Sequence, residues 1–145
     1  MTERKVLKID FSRNRLRERA EKYYDEGNYL SALRFTYKEM SLYGGNGETY
    51  MMLSDIYENM ELYSSAVNCW FRFMDNCTGD DLPDIYEGLA VNYLNMGNEA
   101  QSAFYYNKLI DADDTLTEEN KLEIAETFAR DKRSNFRFVY PPRFA

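Results

Sequence analysis

Three stretches of this chain carry one pattern. LRERAEKYYDEGNYLSALRFTYKEM starts at Leu16, YMMLSDIYENMELYSSAVNCWFRFM at Tyr50 and YEGLAVNYLNMGNEAQSAFYYNKLI at Tyr86, so successive starts lie 34 and 36 residues apart. A unit repeated at that spacing cannot bury its apolar face alone and has to stack on its neighbours. The extra two residues fall in TGDDLP, between the second and third copies, where a loop tolerates insertion at little cost.

Each copy reads as two helices joined by a turn. Leu16-Ala20-Tyr23, Tyr50-Leu53-Ser54-Tyr57 and Tyr86-Leu89-Ala90-Tyr93 recur at three- and four-residue spacing, one apolar stripe along a first helix. The turns read EGNY, MELY and MGNE. Gly27 and Gly97 suit the left-handed position that ends a helix, where glycine carries no side-chain penalty. Glu61 stands there in the middle copy, so its turn is expected to be more strained or differently shaped. In the second helices, Ala32-Leu33, Ala66-Val67 and Ser102-Ala103 fall where two helices cross closely, and rings follow: Phe35 and Tyr37, Trp70 and Phe73, Tyr105 and Tyr106. Small residues at a crossing with large rings beyond it are what a tight helical hairpin requires, and the recurring tyrosines read as hairpin interior.

These residues resemble the tetratricopeptide repeat family. Its pattern has an aromatic at the fourth position, Leu and a small residue at the seventh and eighth, and Tyr at the eleventh; Gly, Ala and an aromatic come later. Tyr50-Leu53-Ser54-Tyr57-Ala66-Trp70 and Tyr86-Leu89-Ala90-Tyr93-Gly97-Ser102-Tyr106 fit it. The first copy departs at Leu16 and Arg19 and returns at Tyr23, Gly27 and Ala32. The proline that often ends a repeat is missing from all three copies, and Pro83 reads instead as part of the next helix's first turn. The resemblance covers residues 13–113 and implies an all-α fold. That fold is a right-handed α-α superhelix of three helical hairpins, at about 13–46, 47–80 and 81–114, plus one capping helix over 117–133.

Thr115-Leu-Thr-Glu118 reads as the capping box that opens this last helix, with Leu122, Ala125, Phe128 and Ala129 covering the open end of the stack. The chain ends differ in kind. VLKIDF alternates apolar and polar residues, and SNFRFVYPPRFA does the same before Pro141-Pro142, so 1–12 and 134–145 are expected to be extended. The proline-rich, aromatic tail also reads as a linker, so the sequence is expected to be the N-terminal part of a longer protein.

Charge is segregated. Residues 1–22 hold eight Lys/Arg against four Asp/Glu and residues 130–145 five against one, whereas 23–129 hold five against twenty. An acidic body with basic ends bears on partners rather than on fold.

Little in the sequence supports chemistry. There is no histidine, which removes the usual bases for a Ser or Cys nucleophile and most zinc ligands. Gly44-Gly45-Asn46-Gly47 lacks the lysine of a phosphate loop and reads as an inter-repeat turn. DADDTLTEEN starts like a calcium loop at Asp111, Asp113 and Thr115, but Leu116 and Leu122 stand where Gly and Glu are needed. Cys69 and Cys77, eight apart on one predicted helix, stand about 12 Å from each other, too far for a disulfide. No catalytic role, cofactor or metal is expected. Nor is a membrane span or a secretory leader, because no apolar run is long enough and charges interrupt the N-terminus; the expected location is cytoplasmic. The sequon Asn76-Cys77-Thr78 then reads as chance.

What the resemblance implies for function is a concave groove lined by the first helix of each repeat. Its positions are Arg17, Glu21 and Tyr24; Met51, Asp55 and Glu58; and Glu87, Val91 and Leu94. In chaperone-binding members, Lys, Asn and Arg clamp a ligand's carboxylate at such places; Glu21, Asp55, Glu87 and Val91 here would repel it. An acidic groove with apolar spots predicts an extended, basic, partly apolar peptide of another protein or of this chain itself, for which FRFVYPPR is one candidate. Two other readings stay open. The repeats could serve homo-oligomerisation or an intramolecular scaffold role, or the basic ends, from Arg4 to Arg19 and at Arg137 and Arg143, could contact RNA against the repulsion of the acidic body. On this reading Ala66→Leu overpacks a helix crossing and lowers stability by about 1–3 kcal/mol, which urea unfolding measures.

Overall fold

The computed structural model describes the backbone of residues 3–112, 117–123 and 126. Among them the fold is all-α, with six α-helices and one short 3₁₀ turn up to Ala112 and a further helical stretch at 118–123. Those up to Ala112 are α1 (Glu3–Asp25), α2 (Tyr29–Tyr43), α3 (Gly47–Asn59), α4 (Tyr63–Asp75), the 3₁₀ turn Gly79–Asp81, α5 (Leu82–Asn95) and α6 (Glu99–Ala112). The chain divides into two compact units, Met1–Leu62 and Tyr63–Ala145. In the first, α1 packs on α2 and α2 on α3; in the second, α4 packs on α5 and α5 on α6. The boundary falls inside the second repeat rather than at a repeat junction. Contacts between successive repeats tie helices together as hairpin turns do, so a packed unit need not coincide with a sequence repeat.

The N-terminal segment corrects one expectation. Residues 3–12, read as extended, are the first turns of α1. No Gly or Pro interrupts the run before Gly27, and Glu, Arg, Lys and Leu are strong helix formers, so propensity overrides the short alternation in VLKIDF. The tail 134–145 lies outside the described residues, as does most of the predicted capping helix.

The turn α1–α2 closes as the dipeptide Gly27-Asn28 dictates. Gly27 takes φ 76°. Its N–H donates to the Tyr24 carbonyl at 3.0 Å, and that of Asn28 to the Tyr23 carbonyl at 2.8 Å. Both helix-end carbonyls are thereby satisfied. Asn28 then opens α2, its Oδ1 accepting from the Ser31 N–H. Gly97-Asn98 repeats this construction, with φ 80° at Gly97 and the Asn98 Oδ1 accepting from Gln101. The middle copy has the same bonds without the glycine. Glu61 donates to Glu58 and Leu62 to Tyr57, with φ 60° at Glu61, so the turn is strained but not reshaped.

In the first unit Ala20 and Ala32 are fully buried in the α1/α2 hairpin, and Tyr23 stacks on Phe35 with centroids 5.5 Å apart. In the second, Trp70 on α4 is 1% exposed and lies against Gly88 on α5. A Cβ at Gly88 would come within 2.2 Å of the indole, so any larger residue forces the helices apart. The Trp70 Nε1 has no hydrogen-bond partner among the described residues; the indole contributes shape and area. Ser102, the small residue of α6, is fully buried and donates to the Ala90 carbonyl at 2.7 Å. Tyr106 is buried in the core beside Ala90 and Leu109, whereas three other tyrosines sit at the seam. Tyr105 stacks on Tyr93 and Tyr86, and Phe71 and Phe104 meet it edge-on, while all three tyrosines remain half-buried.

Other local expectations resolve simply. Pro83 lies in the first turn of α5, as read. Cys77 lies beyond the end of α4 rather than on the same helix as Cys69, and the two form no disulfide. Thr117 and Asn120 cap the helical residues 118–123 reciprocally, which sets the start two residues after the expected Thr115, itself outside the described residues. Leu122, expected on the covering face, is exposed; Ala125, Phe128 and Ala129 are not described.

The strain at Glu61 gives a direct test. Glu61→Gly should raise stability by about 1 kcal/mol in urea unfolding, since the turn is already made and only the left-handed penalty is removed.

Candidate functional site

The residues expected to line a groove divide between the two units and behave differently. On α1, Arg17 is not available to a ligand. Its Nε and Nη2 donate to the two carboxylate oxygens of Glu39 at 3.1 and 3.3 Å, Nη2 also donates to Asn46 Oδ1 at 3.3 Å, and Nη1 pairs with Glu48. Glu39 is 1% exposed on α2, so this is a buried, bidentate ion pair. Asn46 at the same time accepts from the Thr49 N–H, and Thr49 Oγ1 accepts from the Asn46 N–H, the capping box that opens α3. One turn earlier, Arg13 donates to the carbonyls of Tyr43 and Gly44 and lies over the Tyr43 ring, where cations favour a helix C-terminus. Two arginines of α1 thus hold the link from α2 to α3. Sequence reasoning placed Arg17 in the groove and missed its partners; Glu39 in phase with the buried Ala32 and Thr36 was the available signal that a cation must face it.

Tyr24, Asp55 and Glu58 do come together. The Tyr24 hydroxyl accepts from Asn59 Nδ2 at 2.8 Å, and the same nitrogen donates to the Asp55 carbonyl, four residues back on α3. Burial raises the Tyr24 pKa above its ordinary 10.0, and the carboxylates of Asp55 and Glu58 add to the effect, against the Asn59 hydrogen bond. The two carboxylates place negative potential beside a half-buried ring. Glu58 is buried, Asp55 and Met51 are half-buried, and Glu21 is exposed. Asn59, which joins the two helices here, was not anticipated. Nearby, the hydroxyls of Tyr37 and Tyr57 lie 2.6 Å apart.

In the second unit, Glu87 is half-buried, whereas Val91 and Leu94 are 4% and 7% exposed. Both were read as apolar contact points, and both are spent on packing as the structure stands. Burial, then the neighbouring Tyr93 and Tyr86 phenols, also raises the Tyr105 pKa. With folded values above 10.0, Tyr24 and Tyr105 stabilise the fold fully below that pH and lose the contribution as pH rises through their folded values. Among the described residues, no group of three His, Cys, Asp or Glu is placed to hold a metal ion, and no helix is long and apolar enough to cross a membrane.

Comparison with known proteins adds one match. Residues 83–116 fit the family model for the tetratricopeptide repeat. Counted from residue 83, Tyr86 takes the fourth position, Leu89 and Ala90 the seventh and eighth, and Tyr93 the eleventh, the phase expected from the sequence. No curated protein matches the chain.

The Arg17 network predicts a stability effect. Arg17→Ala strands the Glu39 carboxylate and should cost about 3–5 kcal/mol in urea unfolding, and replacing both partners by Met and Leu should recover most of that loss.

Proposed function

We propose that this chain, in which residues 83–116 match the tetratricopeptide repeat, is a non-catalytic module holding an extended, basic and partly apolar peptide of another protein or of its own chain. Tetratricopeptide repeats generally serve protein–protein interaction and carry no catalysis of their own. The observation that carries the finer reading is the Tyr24–Asp55–Glu58 cluster on α1 and α3. Its carboxylates favour a cation, while the Tyr24 ring and Met51 offer apolar surface within one short segment's reach. Glu21, three residues before Tyr24 on α1, extends the same charge preference. Such a ligand would stack its own rings or aliphatic stems on Tyr24 and place Lys or Arg at Asp55. A cytoplasmic location fits this role.

A labelled SNFRFVYPPRFA peptide, which combines those features, tests the reading by fluorescence anisotropy. Binding to the full chain should weaken as salt rises and fall about tenfold in Asp55→Arg. Binding that the charge reversal leaves unchanged would remove the cluster from the site.

A further inference from the structure

A second surface lies on the other side of α1. Ser12, Arg15, Leu16 and Arg19 form one stripe, and at about 100° per residue its centre stands roughly 150° around the helix from that of Arg17, Glu21 and Tyr24. With Lys38, Leu42 and Tyr43 of α2 this stripe encloses an open cleft of about 280 Å³. Its chemistry is the reverse of the cluster described above. Arg15, Arg19 and Lys38 are exposed around the cleft, and none of the described residues that line it is acidic. Leu42 is 59% exposed, an apolar side chain left at the surface beside three cations. Arg19 is held in place, its guanidinium lying over the Phe35 ring at 5.5 Å. This concentration stands out in a chain whose residues 23–129 hold only five Lys/Arg against twenty Asp/Glu.

We infer that this cleft is a second docking site, for an acidic peptide segment that carries an apolar anchor. Carboxylates of the segment pair with Arg15, Arg19 and Lys38, while one leucine-sized side chain covers Leu16, Leu42 and the Tyr43 ring. The apolar floor and the small cleft favour a side chain over a nucleic-acid backbone, whose phosphates the acidic body repels. The module would then engage oppositely charged segments on opposite sides of α1, which lets one partner be held while another is exchanged. The inference does not depend on the Tyr24 cluster binding anything.

The test titrates fluorescein-labelled peptides into the full chain and reads anisotropy. The first peptide alternates aspartate and leucine, the second has serine for leucine and the third asparagine for aspartate. The first should bind about tenfold more tightly than either of the others, since charge and anchor are both required. Arg15→Glu/Arg19→Glu/Lys38→Glu should abolish the binding. Leu42→Ser, a change at an exposed position, should weaken it several-fold with the helical circular dichroism intact. Asp55→Arg should leave it unchanged, which separates this site from the acidic cluster. Equal binding by the triple variant or by Leu42→Ser overturns the proposal. So does equal affinity for the serine peptide, or tighter binding of a single-stranded oligouridine than of the first peptide.

Discussion

How closely two helices can approach governs the rest of this structure. Where the Trp70 indole lies on α5, the position beneath it has to be Gly88, because a Cβ there would overlap the ring. Where α6 crosses α5, the small buried residue is Ser102, and its hydroxyl returns a hydrogen bond to the Ala90 carbonyl. Both of these crossings pair a small residue with something large or polar opposite. That pairing sets the interhelical distance, and the distance in turn lets Tyr86, Tyr93 and Tyr105 stack along the seam. A single methyl group at Gly88 would disturb all of it.

The first unit solves the same problem with charge. Its α1/α2 hairpin carries alanines at the crossing, but the link onward to α3 is polar, built from Arg13 on the last carbonyls of α2 and Arg17 on Glu39, Asn46 and Glu48. A buried ion pair of this kind adds little net stability compared with a well-packed apolar pair, but it penalises any arrangement that leaves Glu39 without its arginine. It therefore fixes the register of three helices. It also divides the surface of α1. The arginines facing α2 and α3 are consumed in structure, the Tyr24 side turns acidic, and the Arg15–Arg19 side stays basic.

Much of the fold was legible. Gly27-Asn28 and Gly97-Asn98 announce a helix end followed by a helix start, because one residue accepts the left-handed backbone and the next caps. Pro83 marks a first turn for the same local reason. The candidate site was less legible. Met51, Asp55 and Tyr24 could be placed on helices by periodicity, but Arg17, Val91 and Leu94 look from sequence like any other residue of a first helix. Whether such a residue faces solvent or a neighbour depends on what is packed against it, and Glu39 and Asn46 lie more than twenty residues from Arg17. The N-terminal segment went the other way: a six-residue alternation was outweighed by an unbroken run of helix formers.

The sequence alone determined the class, the phase of the repeats, the turns and the segregation of charge, since each rests on spacing, backbone preference or composition within one or two helical turns. The tertiary structure decided which charges are tied between helices and which lie at the surface. Only packing brings Glu39 under Arg17, sets Asn59 between Tyr24 and Asp55, buries Val91 and Leu94, and gathers Arg15, Arg19 and Lys38 around Leu42. Those outcomes come from contacts between helices, and a charge in a sequence carries no record of what will stand opposite it.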